Sequence, residues 1–542
     1  MFTPEEKTLL AQYVTSTEND VFVIKNLQGI VGAVFARYSR AKGTLRETLL
    51  KEFIKEGVID PKHAEELIAR VLIAYGDDSV GELEGAHASI ERHSMLVTKE
   101  YEDRRINISP IEQSTRYVFY DQKDEEGKWL YWRGPELTES SFGAEYLATM
   151  DAIFETYARL VEPMKIFFQK LKPLEEAEYD INGDGKKEKL SELTDEKERK
   201  AFAVTYNTDV RTKACDTLRH LLPLSTLTNV GLFGNGRAFQ HLLTHLFSTD
   251  LPETHEVARQ LFEAASEVIP AYVKRASRNE YVVSVRREMF ALARELGIDY
   301  DKGNIMHEEV KLLPMSSDPA SHDIQTVAAM LFPYAALSFG ELIEKVSAMS
   351  DEARFGIIHT YIGARKSRRD RPGRALEHGY PYTFDMLTDW GVYKDLMRHR
   401  MNTQQRQLFT TRLGFFIAPE IKEAGFLADI LECVQKAGDL FERIHKENPL
   451  LAQYAVLHGN FVRWTMGLND RALMHLAELR STPQGHPNYR KIAQEMHKLV
   501  AARSSWRGEA MQFVDHSNYY WSRADSEARQ RVRERKLEDE KI

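Results

Sequence analysis

Cysteine is nearly absent from this chain. Only Cys215 and Cys433 occur among 542 residues, too few for a disulfide framework or a cysteine-built zinc site. A reducing cytosol is the expected compartment. No apolar run approaches the roughly 20 residues a membrane span needs. The opening "MFTPEEKTLLAQYV" is acidic and amphipathic and has no basic n-region, so no signal peptide is expected. Also missing are a Walker loop, a G-x-G-x-x-G fingerprint, H-E-x-x-H and G-x-S-x-G, which removes the familiar phosphate-loop, zinc-protease and acyl-transfer signatures. A formal charge of −9 argues against a general nucleic-acid coat. Clustered arginines are therefore local exceptions that ask for a local anion.

What is present is mostly helical in pattern. Segments 49–58, 63–75, 148–171 and 255–276 repeat apolar residues at helical spacing. Segments 90–101 and 379–389 are richer in β-branched and aromatic residues and predict strands or strand edges. The acidic stretches 121–128 and 175–200 predict inserted surface loops, and 521–542 a charged tail. The fold class expected is α+β, with two homologous domains, each a small mixed sheet with long flanking helices.

The two domains follow from an internal repeat. "ARYSRAKG" aligns with "AALSFGEL" on Ser39 and Ser338, and "GELEGAHASI" with "ALEHGYPYTF" on Glu82 and Glu377. "EDRRINISPIEQSTRY" (102–117) aligns with "DLMRHRMNTQQRQLFTTR" (395–412) on Arg104 and Arg398, and "GNGRAFQH" with "LNDRALMH" on Asn235 and Asn469. The first three pairs lie 299, 295 and 294 residues apart and the last 234, so the first repeat carries about 60 extra residues around the acidic stretches. The repeats span 20–275 and 320–520, joined by a linker at 276–319.

Asn235 and Asn469 are good helix N-caps. Arg237 and His241, like Arg471 and His475, then share one helix face. A cation at a helix start opposes the macrodipole unless an anion lies near; that anion is a ligand, or an Asp or Glu elsewhere in the fold. Segment 364–374 holds six basic residues in eleven, a solvated loop or a phosphate-binding one. "DINGDGKKEKLSE" begins with the spacing of a calcium loop, but its Glu falls one place late at Glu192; an acidic surface turn is expected, and no metal. Cys215, four residues before Arg219, is expected to be a buried structural thiol rather than a nucleophile.

Arg398-His399-Arg400, together with Glu112-x-Ser114-x-Arg116, resembles the signature of the flavin-dependent thymidylate synthases. The resemblance extends over both repeats, including "LRHLLP" at 218–223 and both Asn-x-Arg segments. It implies FAD as cofactor, NADPH and methylenetetrahydrofolate as co-substrates, and reductive methylation of dUMP without a protein nucleophile. In that family each site is shared between subunits of a tetramer. Carried over, the first repeat supplies the nucleotide-binding set: Glu112, Ser114, Thr115, Arg116 and Arg219. It lacks the complementary set, with Arg104-Arg105-Ile106 and Leu246 in those places. The second repeat supplies that complementary set: Arg398, His399, Arg400 and the polarising Arg480. It lacks the first, with Arg406, Leu408, Thr410 and Gln453 instead. The implied flavin contacts are Glu112, Ser79, Asn235, Arg237, Arg398, His399, Arg400, Asn469, Arg471 and His475.

The halves are thus expected to complete one composite site per chain, and two chains to form a homodimer imitating the tetramer. One departure stands out. Asp395 occupies the place of the family's base-contacting Gln, which raises the alternative of a different pyrimidine nucleotide. A catalytically silent nucleotide- or nucleic-acid-binding homologue is the remaining alternative.

Overall fold

The structure is a computed structural model. It describes residues 2–18, 26, 30–38, 44–55, 58–59, 67, 81–104, 106–296, 309–314, 318–335, 337–370, 372–378, 381–521, 528 and 532. Ser39, Arg105, the helix expected over 63–75 except Leu67, Ser79 and most of the 521–542 tail lie outside these residues. The chain divides into two compact units. Unit 1 comprises Met1–Gln113, Tyr131–Ser140 and Ser225–Lys302; unit 2 comprises Ser114–Leu130, Ser141–Leu224 and Gly303–Ile542. The α+β expectation holds, with every described strand pairing antiparallel rather than mixed.

Unit 1 is built on a three-stranded sheet. Leu227–Asn235 lies at its centre, flanked by Gly85–Ser94 and Ile108–Glu112. Thr228, Val230 and Leu232 of the central strand are buried at period two. They face a core with Phe239, Leu242 and Leu246 of the helix Gly236–Phe247. The strand expected over 90–101 stops at Ser94, because its hydroxyl caps Val97 N–H at 3.1 Å and starts the helix Met95–Glu102. The helix expected over 49–58 is a single π-turn, Leu49–Phe53, followed by short extended segments. The 255–276 pattern is the helix Pro252–Val268 and a short turn after it.

Unit 2 repeats the plan. Phe461–Leu468 is central, between Thr403–Arg406 and Tyr382–Asp389, with Val310–Leu312 added outside the latter. Val462, Trp464, Met466 and Leu468 point inward in strict alternation. The long helices Gly143–Leu171 and Leu427–His445 pack together, and the helix Glu196–Leu218 packs on the first. Glu196–Leu218 starts inside the acidic stretch expected as a loop, where Asp195 caps Lys197 and Glu198 N–H.

The duplication extends to matched local chemistry. Asn235 caps Ala238 N–H, and Asn469 caps Ala472 N–H, both at 2.8 Å. Arg219 opens a 3₁₀ turn, and so does Gln453, 234 residues later. Within unit 2 these two turns run into a reciprocal pair of hydrogen bonds around the Pro223–Leu457 bridge: Leu224 N–H donates to Val456 C=O at 2.8 Å, and His458 N–H to Leu222 C=O at 2.9 Å. Each residue is again 234 from its counterpart, the signature of a local two-fold.

Candidate active site

Unit 2 gathers arginines from both repeats around Asp395. Asp389 caps Val392 N–H at 3.0 Å and starts the short helix Trp390–Leu396, whose last turn presents Asp395. Arg219, at the head of its 3₁₀ turn, is 1% exposed, with Nη1 3.6 Å from Asp395 Oδ2. Its Nε and Nη2, and Asp395 Oδ2, have no hydrogen-bond partner among the described residues. A buried guanidinium with two unmatched donors is costly unless an acceptor joins it.

Arg480 closes the helix Asp470–Arg480, and its Nε donates to His399 Nε2 at 2.8 Å. That bond requires an unprotonated Nε2, so the ring is neutral with its proton on Nδ1. Burial first, then the neighbouring Arg480 and His475, hold His399 well below the ordinary histidine range. The His475 ring lies 5.5 Å from that of His399.

Arg116, expected in the nucleotide-binding set, is already engaged by protein groups. Its Nε and Nη2 donate to the two carboxylate oxygens of Asp216, each at 2.6 Å. Its Nη1 reaches Tyr489 Oη at 3.3 Å and Gln484 C=O at 3.5 Å. Burial opposes the Asp216 charge, but Arg116 outweighs it and holds the carboxyl far below the usual range. The Tyr489 ring lies 5.9 Å from the Arg116 guanidinium and 5.5 Å from that of Arg480. Burial would likewise raise Asp395, yet Arg219, Arg480, Arg116 and Arg398 together keep it ionised.

With His399 and His486 neutral, four guanidiniums, those of Arg219, Arg480, Arg116 and Arg398, act on Asp395, and Arg116 also pairs with Asp216. The cluster keeps a positive excess suited to an anion. Sequence reasoning did not single out Asp216, Asp389, His486, Asn488 or Tyr489. Asn488 donates to Asp389 at 2.8 Å. Asp216 sits three residues before Arg219, but nothing local links it to Arg116, 100 residues away.

The other expected residues divide between the two units. Thr115 of unit 2 is buried beside Arg116, and Ser114 Oγ accepts from Arg116 N–H at 3.3 Å. In unit 1, Glu112 is buried and ion-paired with Lys99 at 3.1 Å. Arg237 pairs with Glu82 at 2.7 Å, and in unit 2 Arg471 pairs with Glu377, so in both repeats a glutamate of the same unit supplies the helix-start anion. These pairs are partly exposed, and each is worth about 1 kcal/mol or less. Arg398 and Arg400 are half-buried beside His399.

Of the basic segment, Arg365 forms a buried two-pronged pair with Glu478, both bonds 2.6 Å. Burial pushes the Cys215 thiol far above its ordinary range, which suits no nucleophile. In the acidic turn, Asp180 spends its oxygens on Gly183 and Gly185 N–H at 2.6 and 3.2 Å. Among the described residues no cluster of three or more His, Cys, Asp or Glu could hold a metal, and no helix is long and apolar enough to cross a membrane.

Two predictions arise here. A Cβ on Gly391 would meet Arg219 Nη2 at 2.8 Å and Asp389 Oδ1 at 3.0 Å. Gly391→Ala is therefore expected to displace the Arg219 guanidinium and weaken anion binding about tenfold or more, one mispaired charged bond costing on the order of 1.5–3 kcal/mol. Inorganic phosphate titration beside a melting curve checks it: weaker binding with little change in Tm is expected.

The second concerns pH. Burial depresses both His220 and His486 below their ordinary 6.5. The unfolded chain then binds more protons than the folded one, so stability falls as pH drops below that value, by up to about 1.4 kcal/mol per pH unit for each. Above about pH 7.5 it should be flat. Melting curves from pH 8 to 5.5 should show this, and His486→Asn should flatten the slope.

The chain matches the family described as thymidylate synthase complementing protein twice, over residues 28–271 and 325–504. It is 34% identical to a protein of Chlamydia muridarum (strain MoPn / Nigg) named UPF0159 protein, across 98% of this chain and 99% of that one. A namesake in Chlamydia pneumoniae is 36% identical, with 97% and 98% covered. One in Thermoplasma acidophilum is 31% identical, with 93% and 98% covered. Among solved structures the chain is similar to a crystal structure titled as a UMP/dUMP methylase PolB from Streptomyces cacaoi bound with 5-Br dUMP. That likeness has 17% identity and a TM-score of 0.30, over 39% of this chain and 96% of that one.

Proposed function

Because the chain belongs to the thymidylate synthase complementing protein family, the flavin-dependent thymidylate synthases, we propose that it reductively methylates a dUMP-like nucleotide, using methylenetetrahydrofolate and NADPH, at one composite site in unit 2. The observation that carries this reading is the buried Arg219, whose Nε and Nη2 lack acceptors beside an ionised Asp395. A nucleotide phosphate supplies those acceptors through charge-assisted bonds.

The residues have distinct tasks in this reading. Arg219 binds the phosphate. Arg116, held by Asp216 and Tyr489, positions the segment around Ser114 and Thr115. Arg480, oriented by neutral His399, offers its remaining guanidinium nitrogens to negative charge developing on the pyrimidine. FAD suits the donor set. Arg398, His399 and Arg400 form a half-buried basic strip, and the weak Arg471–Glu377 pair can yield to a pyrophosphate. Held by these residues, a flavin would supply the hydride. A dimer of chains would then carry two working sites.

Asp395 favours a second reading of the base. An ionised carboxylate only accepts hydrogen bonds, so it selects a ring or amino donor, as the amino group of a cytosine nucleotide offers. Flavin absorbance of the purified protein, then turnover of dUMP and dCMP in parallel, tests both readings. No bound flavin and no methylation of either would leave only a silent homologue.

A further inference from the structure

Two amide side chains hold the turn that carries Arg398, His399 and Arg400. The helix Trp390–Leu396 ends there, with Met397 as its C-cap. The last carbonyls of a helix have no intrahelical donor, so other groups must supply one. Backbone groups close part of this end: Met397 N–H donates to Tyr393 C=O at 2.9 Å, and His399 N–H to Leu396 C=O at 3.1 Å. Side chains close the rest. Asn402 Nδ2 donates to His399 C=O at 2.5 Å. Gln404 Nε2 shares its hydrogens among His399 C=O at 2.7 Å, Met397 C=O at 3.1 Å and Asn402 Oδ1 at 2.7 Å. Asn402 is 2% exposed, so water is a poor substitute for these bonds.

Unit 1 builds the equivalent turn with other residues at these places. Its helix Met95–Glu102 ends with Asp103 as C-cap, 294 residues before Met397. Strand register fixes the counterparts of the two amides. Gln404 pairs with Met466 and Pro110 with Leu232, and Met466 and Leu232 lie 234 residues apart, like the caps Asn469 and Asn235. Gln404 thus stands where Pro110 does, and Asn402 where Ile108 does. Neither Pro nor Ile has a side-chain N–H, and Ile108 is buried in the core of unit 1. The amides belong to the repeat that carries Arg398-His399-Arg400, and the repeat that reads Arg104-Arg105-Ile106 does without them. A clamp needed by the fold alone would stand in both.

We infer, on the reading of the site proposed above, that Asn402 and Gln404 are positioning residues for Arg480, acting through His399. The His399 carbonyl accepts from both amides, and the ring of the same residue accepts from Arg480 Nε at 2.8 Å. Fixing the carbonyl fixes the peptide plane, and with it the Cα from which the ring projects. A ring that shifts by about 1 Å misaims the guanidinium, and a misplacement of that order can cost up to about 100-fold in rate.

The test uses the full chain with Gln404→Met, which keeps the reach of the side chain without its N–H, and separately with Asn402→Ala. Melting curves check the fold of each. Histidine nitrogen NMR, with the His399 signals identified by their loss in His399→Gln, reads the turn without reference to turnover. The unaltered protein should keep the His399 proton on Nδ1 and the ring neutral from pH 8 to 5.5, since burial and then Arg480 hold it low. Either variant should mix the two tautomers and let His399 titrate closer to the ordinary histidine value. Kinetics with the nucleotide varied adds a double-mutant cycle. Each variant should lower kcat about tenfold with little change in KM, and by no more than about twofold further in an Arg480→Ala protein. A His399 spectrum unchanged in the folded variants overturns the inference. So does a kcat loss as large in Arg480→Ala as in the unaltered chain, the mark of a purely structural role. If the unaltered protein methylates neither dUMP nor dCMP, the proposed function fails and the His399 spectrum alone decides the inference.

Discussion

Arg480→Ala is expected to bind nucleotide nearly as well as the unaltered protein and to turn it over 100- to 1,000-fold more slowly, the usual scale for removing one preorganised donor to a developing anion. The reason is geometric. The Arg480 Nε is spent on His399 at 2.8 Å, which leaves its terminal nitrogens as the acting groups and fixes their direction. His399→Ala should reproduce part of the loss by freeing that side chain, while His399→Gln, which can still accept, should recover it. Steady-state kinetics with the nucleotide varied separates the two effects. Near-native turnover by Arg480→Ala would remove the polarising role.

The second large effect is on stability. Arg116→Ala should destabilise unit 2 by about 3–5 kcal/mol, because it leaves Asp216 buried and unpaired. Both side chains are nearly inaccessible, and the pair is two-pronged with 2.6 Å bonds. Arg116→Met combined with Asp216→Leu should recover much of the loss, since removing both charges avoids the desolvation cost. Denaturant unfolding of the single and double variants measures this. An Arg116→Ala protein as stable as the unaltered chain, with weakened phosphate binding alone, would instead make Arg116 a direct phosphate clamp.

The two effects show what was legible in the sequence. Helix and strand patterns with strong periodicity, such as 148–171 and 379–389, survive into Gly143–Leu171 and Tyr382–Asp389. The duplicated Asn-x-Arg segments were readable because capping is local: Asn235 and Asn469 act within three residues. The strand–helix switch at Ser94 was hidden, because β-branched and aromatic residues continue through a cap that a single serine sets. At the site, the residues carrying a family motif could be named. The partners that decide what those residues are free to do could not. Arg116 meets Asp216 across 100 residues and Tyr489 across 373. Only folding reveals that Arg116 is saturated while Arg219 keeps two donors open.

The central claim is that each chain builds one working nucleotide site from two unequal repeats. The reverse combination lacks the means: Gln453, at the Arg219 position, accepts from Phe409 N–H at 3.0 Å and donates to Leu450 C=O at 3.2 Å. Leu246, at the Arg480 position, is wholly buried in the core of unit 1. Calorimetric titration of the flavin-loaded protein with dUMP counts the sites directly. One nucleotide per chain, lost in Arg219→Ala, is the predicted result; two equivalent nucleotides per chain, or one that survives Arg219→Ala, would contradict it.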